Sequence, residues 1–203
     1  KAEMKAAAFE MAEQVEKLVK VYKNTKVDAQ MLKDADVDAV ILAIGSSPIT
    51  IKLEGMDKLQ HASAPEVLRH EVCPKGKVAV IGGGLVGLET ADGCDVTVLE
   101  MKDEIGSDLG SLRKIAVMMK LQQMQVKMLP NSKVCKFTEE GIVLEDETLV
   151  PCNCAVFAVG FASNDSHLLV EECEKRQIPC RVIGDAKSAR RALDAIAEGF
   201  EAA

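Results

Sequence analysis

Aromatic residues are scarce in this 203-residue chain: five Phe, one Tyr and no Trp. A platform for stacking single-stranded nucleic acid needs such rings, and this sequence cannot supply one. Surplus positive charge is missing too. The formal net charge is -7, from 25 Lys and Arg against 32 Asp and Glu, so neither nucleic acid nor an anionic membrane surface is expected as a partner. No apolar run approaches the ~20 residues of a membrane span. Lys1 to Ala8 lack the apolar stretch of a secretory leader. The seven cysteines (Cys73, Cys94, Cys135, Cys152, Cys154, Cys173 and Cys180) form no C-x-x-C pair, which reads as reduced thiols in a cytoplasmic protein. Cys152 and Cys154 would share one face of a strand, but no further ligands stand at metal-binding spacing, and no metal site is expected.

What is present is aliphatic. Hydrophobic residues make up 48% of the chain, so a core of Val, Ile, Leu, Met and Ala can form, as in buried parallel strands covered by helices. Residues 6–23 have a helical pattern with Phe9, Val15, Leu18 and Tyr22 on one face, and Asn24 to Val27 reads as a short strand or the remnant of one. Val37 to Ile44 is a β-branched run that ends at Gly45, and Gly45-Ser46-Ser47-Pro48 breaks regular structure. The stretch holding Gly55, His61, Pro65, Pro74 and Gly76 reads as a loop crossing between domains, with a turn or two of helix at Ala64 to Arg69. Lys77 to Ile81 is a buried strand, Leu85 to Asp92 a helix and Asp95 to Glu100 the next strand. A helix follows over Leu109 to Met124, with Leu112, Ile115, Ala116, Met119 and Met124 turned to the core. Residues 126–150 are rich in strands and turns. Ala155 to Val159 is another buried strand, closed by Gly160. Arg181 to Ile183 is the last strand, followed by Gly184-Asp185 and a helix over Arg190 to Ala203. The run Asp38 to Gly45 resembles Cys154 to Gly160, which points to two related dinucleotide-binding units.

The strongest motif is Gly82-Gly83-Gly84-Leu85-Val86-Gly87, because it joins an apolar strand to a helix-compatible stretch. Gly82 permits the sharp turn, Gly84 lets the backbone approach a diphosphate, and Gly87 allows helix and strand to pack closely. Free N–H groups and the helix dipole supply the positive end without any lysine. Glu100 closes the next strand, where a carboxylate can accept both adenosine ribose hydroxyls and repels a 2′-phosphate. NADH is therefore expected over NADPH, with Lys102 as the opposing feature. The spacing from Gly82 to Glu100 is short: a helix of eight residues rises roughly 12 Å, which barely allows the crossover. A segment is accordingly expected to be absent from the sequence at Asp92–Gly93, and another near Lys23–Asn24.

These motifs, in the order D-A-V-I-L-A-I-G-S-S-P, V-A-V-I-G-G-G-L-V-G-L-E-T-A, V-T-V-L-E-M, F-A-V-G-F, V-I-G-D-A and R-R-A-L-D-A-I-A-E-G-F-E-A-A, resemble the C-terminal half of NADH:flavin oxidoreductases related to 2-enoate reductase, within the pyridine nucleotide-disulfide oxidoreductase class. The resemblance implies an α/β fold: a Rossmann-like domain with a parallel sheet inserted into a partial FAD-type domain, plus a β-meander. It implies a division into residues 1–68 (partial FAD-type domain), 69–164 (NADH domain) and 165–203 (return to the FAD-type domain). It also places Gly184 and Asp185 against FAD, Gly45 where the chain passes between domains, and Glu89 and Gly160 near the nicotinamide. The family's first FAD-binding fingerprint has no counterpart here. FMN, an iron–sulfur cluster and the N-terminal barrel domain that carries them are expected only in a missing part, so the chain is expected to be a fragment. The implied activity is hydride transfer from NADH to FAD. The alternatives are a non-catalytic nicotinamide-nucleotide-binding module or redox sensor, or an NADH oxidase with a different acceptor. No catalytic acid, base or nucleophile is nominated, and His61, His70 and His167 read as surface residues.

Overall fold

The computed structural model describes residues 2–84, 86–87 and 95–203. The chain divides into two compact units, residues 1–42 with 165–182 and residues 43–164 with 183–203.

The first unit holds three helices, α1 (Ala2–Leu18), α2 (Ala29–Asp34) and α5 (His167–Lys175), and two strands, β1 (Val40–Leu42) and β12 (Cys180–Val182). The strands form a two-stranded parallel sheet in the register Val40 to Cys180. Asp28 caps α2 by accepting the Met31 N–H at 2.8 Å. Arg176, just past α5, donates to the carbonyls of Leu32 and Ala35, the latter at 2.8 Å, and so satisfies the free carbonyl end of α2. The expected first helix is present, but Phe9, Val15, Leu18 and Tyr22 are all exposed. Asn24 to Val27 is not a strand: Lys23 and Asn24 make a turn, with Asn24 in the left-handed region at φ +54.

In the second unit, β3 (Gln60–Ser63), β4 (Lys77–Ile81), β5 (Asp95–Leu99), β6 (Lys127–Leu129) and β10 (Cys154–Phe157) make a five-stranded sheet in the order β3-β10-β4-β5-β6, parallel throughout. Its central strands are apolar on both faces because both are covered. Val78, Val80, Val96, Val98 and Val156 pack on one side with Leu121 of α4 (Ser111–Gln123). Ala79, Ile81, Leu99 and Ala155 pack on the other with Phe137, Ile142, Leu144 and Val150. Those last four belong to the expected meander, β7 (Val134–Thr138), β8 (Gly141–Leu144) and β9 (Leu149–Pro151), a three-stranded antiparallel sheet. The unit is completed by α3 (Ala64–Leu68), the ribbon of β2 (Ser46–Pro48) with β11 (Phe161–Ser163), and α6 (Ala192–Ala202).

Four expectations need correction. Ser46–Pro48 is not a break but a strand, which gains its hydrogen bonds from β11. The stretch read as an interdomain loop contributes β3 to the main sheet. The run Val37 to Ile44 is regular only over Val40–Leu42. On α4, Leu112 is 86% exposed, and Ile115, Ala116 and Met119 are also exposed; of the expected set Met124 packs against the core, which otherwise takes Val117, Met118 and Leu121. Both sets lie at helical spacing, and contact with β5 and β6 rather than periodicity selects between them. The helix expected over Leu85 to Asp92 and the junction at Asp92–Gly93 fall almost wholly outside the described residues, of which Val86 and Gly87 are helical.

Candidate dinucleotide-binding site

From β4 the chain moves outward through β5 to β6, while β10 and β3 lie on the opposite side of β4. The junction of β4 and β10 is therefore a topological switch point, and in open parallel sheets ligands bind beyond the carboxyl ends of the strands at such a point. Ile81 and Phe157, the last residues of the two strands, are in register there. A cavity of about 520 Å³ opens above them, and Gly82, Gly84, Val86, Glu100 and Gly160 all line it.

The glycines of the turn serve different ends. Gly82 has φ +109, and a Cβ on it would stand 2.4 Å from the Ala158 carbonyl oxygen. Its N–H donates to the Leu99 carbonyl at 2.8 Å, joining the turn to β5. A Cβ on Gly87 would stand 1.9 Å from the Gly82 carbonyl oxygen. These two glycines are fixed by backbone packing. Gly83 is buried, and its N–H donates to Glu100 Oε2 at 2.7 Å. Glu100 Oε1 accepts the Lys102 N–H at 2.9 Å, so main-chain donors orient both oxygens of this half-buried carboxylate. Gly84 faces the cavity, and the atom nearest to a Cβ there is a side-chain oxygen, Asp108 Oδ2 at 3.2 Å. Leu85 and Glu89 lie outside the described residues.

The remaining site candidates form two groups. Gly160 has φ +105 and lines the cavity, and its carbonyl accepts the Ile49 N–H at 3.0 Å. Gly45, at φ +73, leads into β2, where Ser46 Oγ donates to Asp185 Oδ2 at 3.0 Å. Asp185 Oδ1 also accepts the Arg190 N–H at 3.2 Å. Gly184 donates its N–H to Glu198 Oε2 at 2.7 Å, and Glu198 Oε1 pairs with Lys187 at 3.1 Å and Arg190 at 2.5 Å. Gly45, Gly184 and Asp185 are thus neighbours of one another through Ser46, and none of them lines the cavity at the glycine turn.

The Arg190 guanidinium, then the Gly184 N–H and Lys187, hold the Glu198 carboxyl down at about 2 from an ordinary 4.5. A depressed carboxyl stabilises the fold fully above its unfolded value, and that stability is lost as pH falls through the folded value. The melting-temperature advantage of the wild type over Glu198→Gln is expected to be full at pH 6 and to shrink from about pH 4.5 downward, as thermal melts across that range would read.

Several lining residues carried no sequence signal, among them Ser107, Asp108, Ser132 and Lys133. They come from loops that reach the cavity only through the fold. His61, His70 and His167 are exposed. Cys152 and Cys154 are buried, and burial pushes the Cys152 thiol up to about 11, so it stays protonated. Among the described residues no group of His, Cys, Asp and Glu could hold a metal ion, and no helix is long and apolar enough to cross a membrane.

The chain is 35% identical over 188 residues to a bilirubin reductase of Mediterraneibacter gnavus, covering 87% of this chain and 28% of that protein. It is 34% identical over 198 residues to a cinnamate reductase of Clostridium sporogenes, covering 91% of this chain and 29% of that protein. It therefore spans less than a third of the length of either relative. Among solved structures, a 2-naphthoyl-CoA reductase in complex with 2-naphthoyl-CoA superposes with a TM-score of 0.80 at 24% identity, over 94% of this chain and 30% of that one, and so shares the fold. The profile of the pyridine nucleotide-disulphide oxidoreductases matches residues 3–185, and the chain belongs to that family.

Proposed function

We propose that the chain is the NADH-binding portion of a larger flavoprotein oxidoreductase of the enoate reductase type, in which it passes hydride from NADH to FAD. The observation that carries this reading is the cavity at the sheet's switch point, bounded by the glycine turn and by Glu100. The residues fit the dinucleotide. Gly84 leaves the main chain open to a diphosphate, Glu100 is held where it can accept ribose hydroxyls, and Gly160 keeps its side of the cavity free of a side chain. For FAD the fit is partial. Asp185, steadied by Ser46 and the Arg190 N–H, can accept a ribityl hydroxyl, whereas the Gly184 N–H is already given to Glu198.

When bound, the nicotinamide supplies the hydride and the flavin accepts it; the protein binds and orients. In this reading residues 69–164 are the NADH domain, with β3 contributed to its sheet from the preceding segment. Residues 1–68 and 165–203 belong to an FAD-type domain. The barrel with FMN, the iron–sulfur cluster and the substrate site lies elsewhere in the complete protein, as the short span against both relatives supports. The free cysteines among the described residues agree with a cytoplasmic setting.

Fluorescence titration with NADH and NADPH tests the cofactor assignment. The wild type is expected to bind NADH more tightly. Glu100→Arg is expected to shift the preference toward NADPH by about tenfold or more, because a like charge is replaced by one that pairs with the 2′-phosphate. A wild type that prefers NADPH would overturn the assignment.

A further inference from the structure

The turn between β6 and β7 is stitched to the end of β5, where Glu100 stands. The Asn131 N–H donates to the Lys102 carbonyl at 2.8 Å, and the Ser132 N–H donates to the Glu100 carbonyl at 2.7 Å. Ser132 is buried, and its hydroxyl donates to the Pro130 carbonyl at 3.1 Å, which holds the turn in shape. The next residue, Lys133, is thereby set beside Glu100, and both line the cavity. Its ammonium is already engaged. The pairing of β7 with β8, Val134 opposite Leu144, brings Glu145 across from Lys133, and the Glu145 N–H donates to the Lys133 carbonyl at 2.9 Å. The side chains follow the backbone: Lys133 Nζ donates to Glu145 Oε1 at 2.6 Å. That hydrogen bond raises the ammonium above the ordinary lysine value, so it stays charged at neutral pH. Glu145 itself does not line the cavity.

A lysine beside the carboxylate that receives the adenosine ribose is a ready partner for a 2′-phosphate. A lysine whose charge is drawn to another carboxylate is a poorer one. We propose that the Lys133–Glu145 pair is a second determinant of nucleotide choice: Glu145 draws the ammonium away from the ribose end of the cavity and so denies it to a 2′-phosphate. The proposal rests on the reading of the glycine turn and Glu100 given above. The two carboxylates have different tasks. Glu100, with both oxygens held by main-chain donors, meets the ribose itself. Glu145 acts only through Lys133 and is a positioning residue. Of the two lysines in the lining, Lys102 comes two residues after Glu100 in the chain, whereas Lys133 arrives from another element with its own carboxylate partner. Both side chains of the pair are more than half exposed, so breaking it should cost the fold little.

The test is titration of the 203-residue chain with NADH and NADPH at low and high ionic strength. Wild type is compared with Glu145→Gln and with the double variant Glu145→Gln/Lys133→Gln. Glu145→Gln is expected to bind NADPH about three- to fivefold more tightly at low ionic strength, with NADH changed far less. The double variant should return to the wild-type NADPH affinity, which assigns the gain to Lys133. The gain should shrink at high ionic strength, where exposed charges are screened. Matching melting temperatures would show that the exposed substitutions leave the fold intact. NADPH binding that is equal or weaker in Glu145→Gln, with NADH still bound, overturns the proposal and leaves the turn and Glu100 as the nucleotide site. A gain that survives in the double variant also overturns it, since Lys133 would not be the agent. So does an equal gain for NADH, which has no 2′-phosphate to meet the lysine. A wild type that binds neither nucleotide removes the reading of the turn, and the proposal with it.

Discussion

Replacing Gly87 with alanine is expected to destabilise the chain by about 3 kcal/mol, read as a lower midpoint in urea unfolding with an unchanged slope. The added methyl would stand 1.9 Å from the Gly82 carbonyl oxygen and 3.3 Å from the Ala158 Cβ. The first of these is backbone that cannot rotate away. Gly82 is itself fixed from two sides: its N–H is bonded to the Leu99 carbonyl, and its own Cβ position is closed by the Ala158 carbonyl. Relief therefore requires separating the helical turn at Gly87 from β4 or shifting β4 against β10, and β4 and β10 carry the fully buried Ala79, Val80, Ala155 and Val156. The effect belongs to packing rather than to helix propensity. Gly199 in α6 provides the contrast, since a Cβ there meets nothing within 4 Å. Gly199→Ala is expected to stabilise by about 0.5–1 kcal/mol, the ordinary preference for alanine over glycine in a helix. Equal effects at the two positions would contradict the packing explanation.

The parts of the fold that sequence makes legible are those buried on two sides. In Lys77–Ile81 four apolar residues follow the lysine and run into glycine, and the structure forms β4 over that span. The meander was readable because Pro130-Asn131 and Glu139-Glu140-Gly141 separate short alternating runs. What was not legible lies at edges and surfaces. Gln60–Ser63 forms the outer strand β3, where of four residues only Ala62 is buried, so neither alternation nor an apolar run marks it. Ser46–Pro48 and Phe161–Ser163 are each three residues long, mostly exposed, and regular only because they pair with each other. On α4 two apolar stripes compete, and the choice depends on β5 and β6, which lie outside the helix.

The candidate site divides in the same way. The glycine turn and Glu100 were visible because diphosphate and ribose recognition require special residue types at fixed places on a strand and a turn. Asp108 was not, because nothing local marks a carboxylate whose neighbour, Gly84, is 24 positions away and is reached only through the loop between β5 and α4. The division of cofactor contacts was likewise hidden. Gly45 and Gly160 both end similar strands, yet Gly160 opens on the cavity and Gly45 leads toward Asp185.

The central claim is that the turn at Gly82–Gly87 receives the diphosphate of NADH, and Gly84→Val tests it most directly. Gly84 borders the cavity, and the atoms nearest to a first carbon added there belong to the Asp108 carboxyl, at 3.2 to 3.6 Å, a side chain rather than backbone, so the fold should survive. The two further methyls of valine would project into the path of the diphosphate and keep it from the main-chain donors. Loss of one or two charge-assisted hydrogen bonds corresponds to about 3 kcal/mol, or a hundredfold in affinity. The measurement is an NADH fluorescence titration of the wild-type chain and Gly84→Val, with thermal melts alongside. The prediction is binding by the wild type and a loss of about a hundredfold or more in a folded Gly84→Val protein. NADH binding undiminished in the folded variant would contradict it.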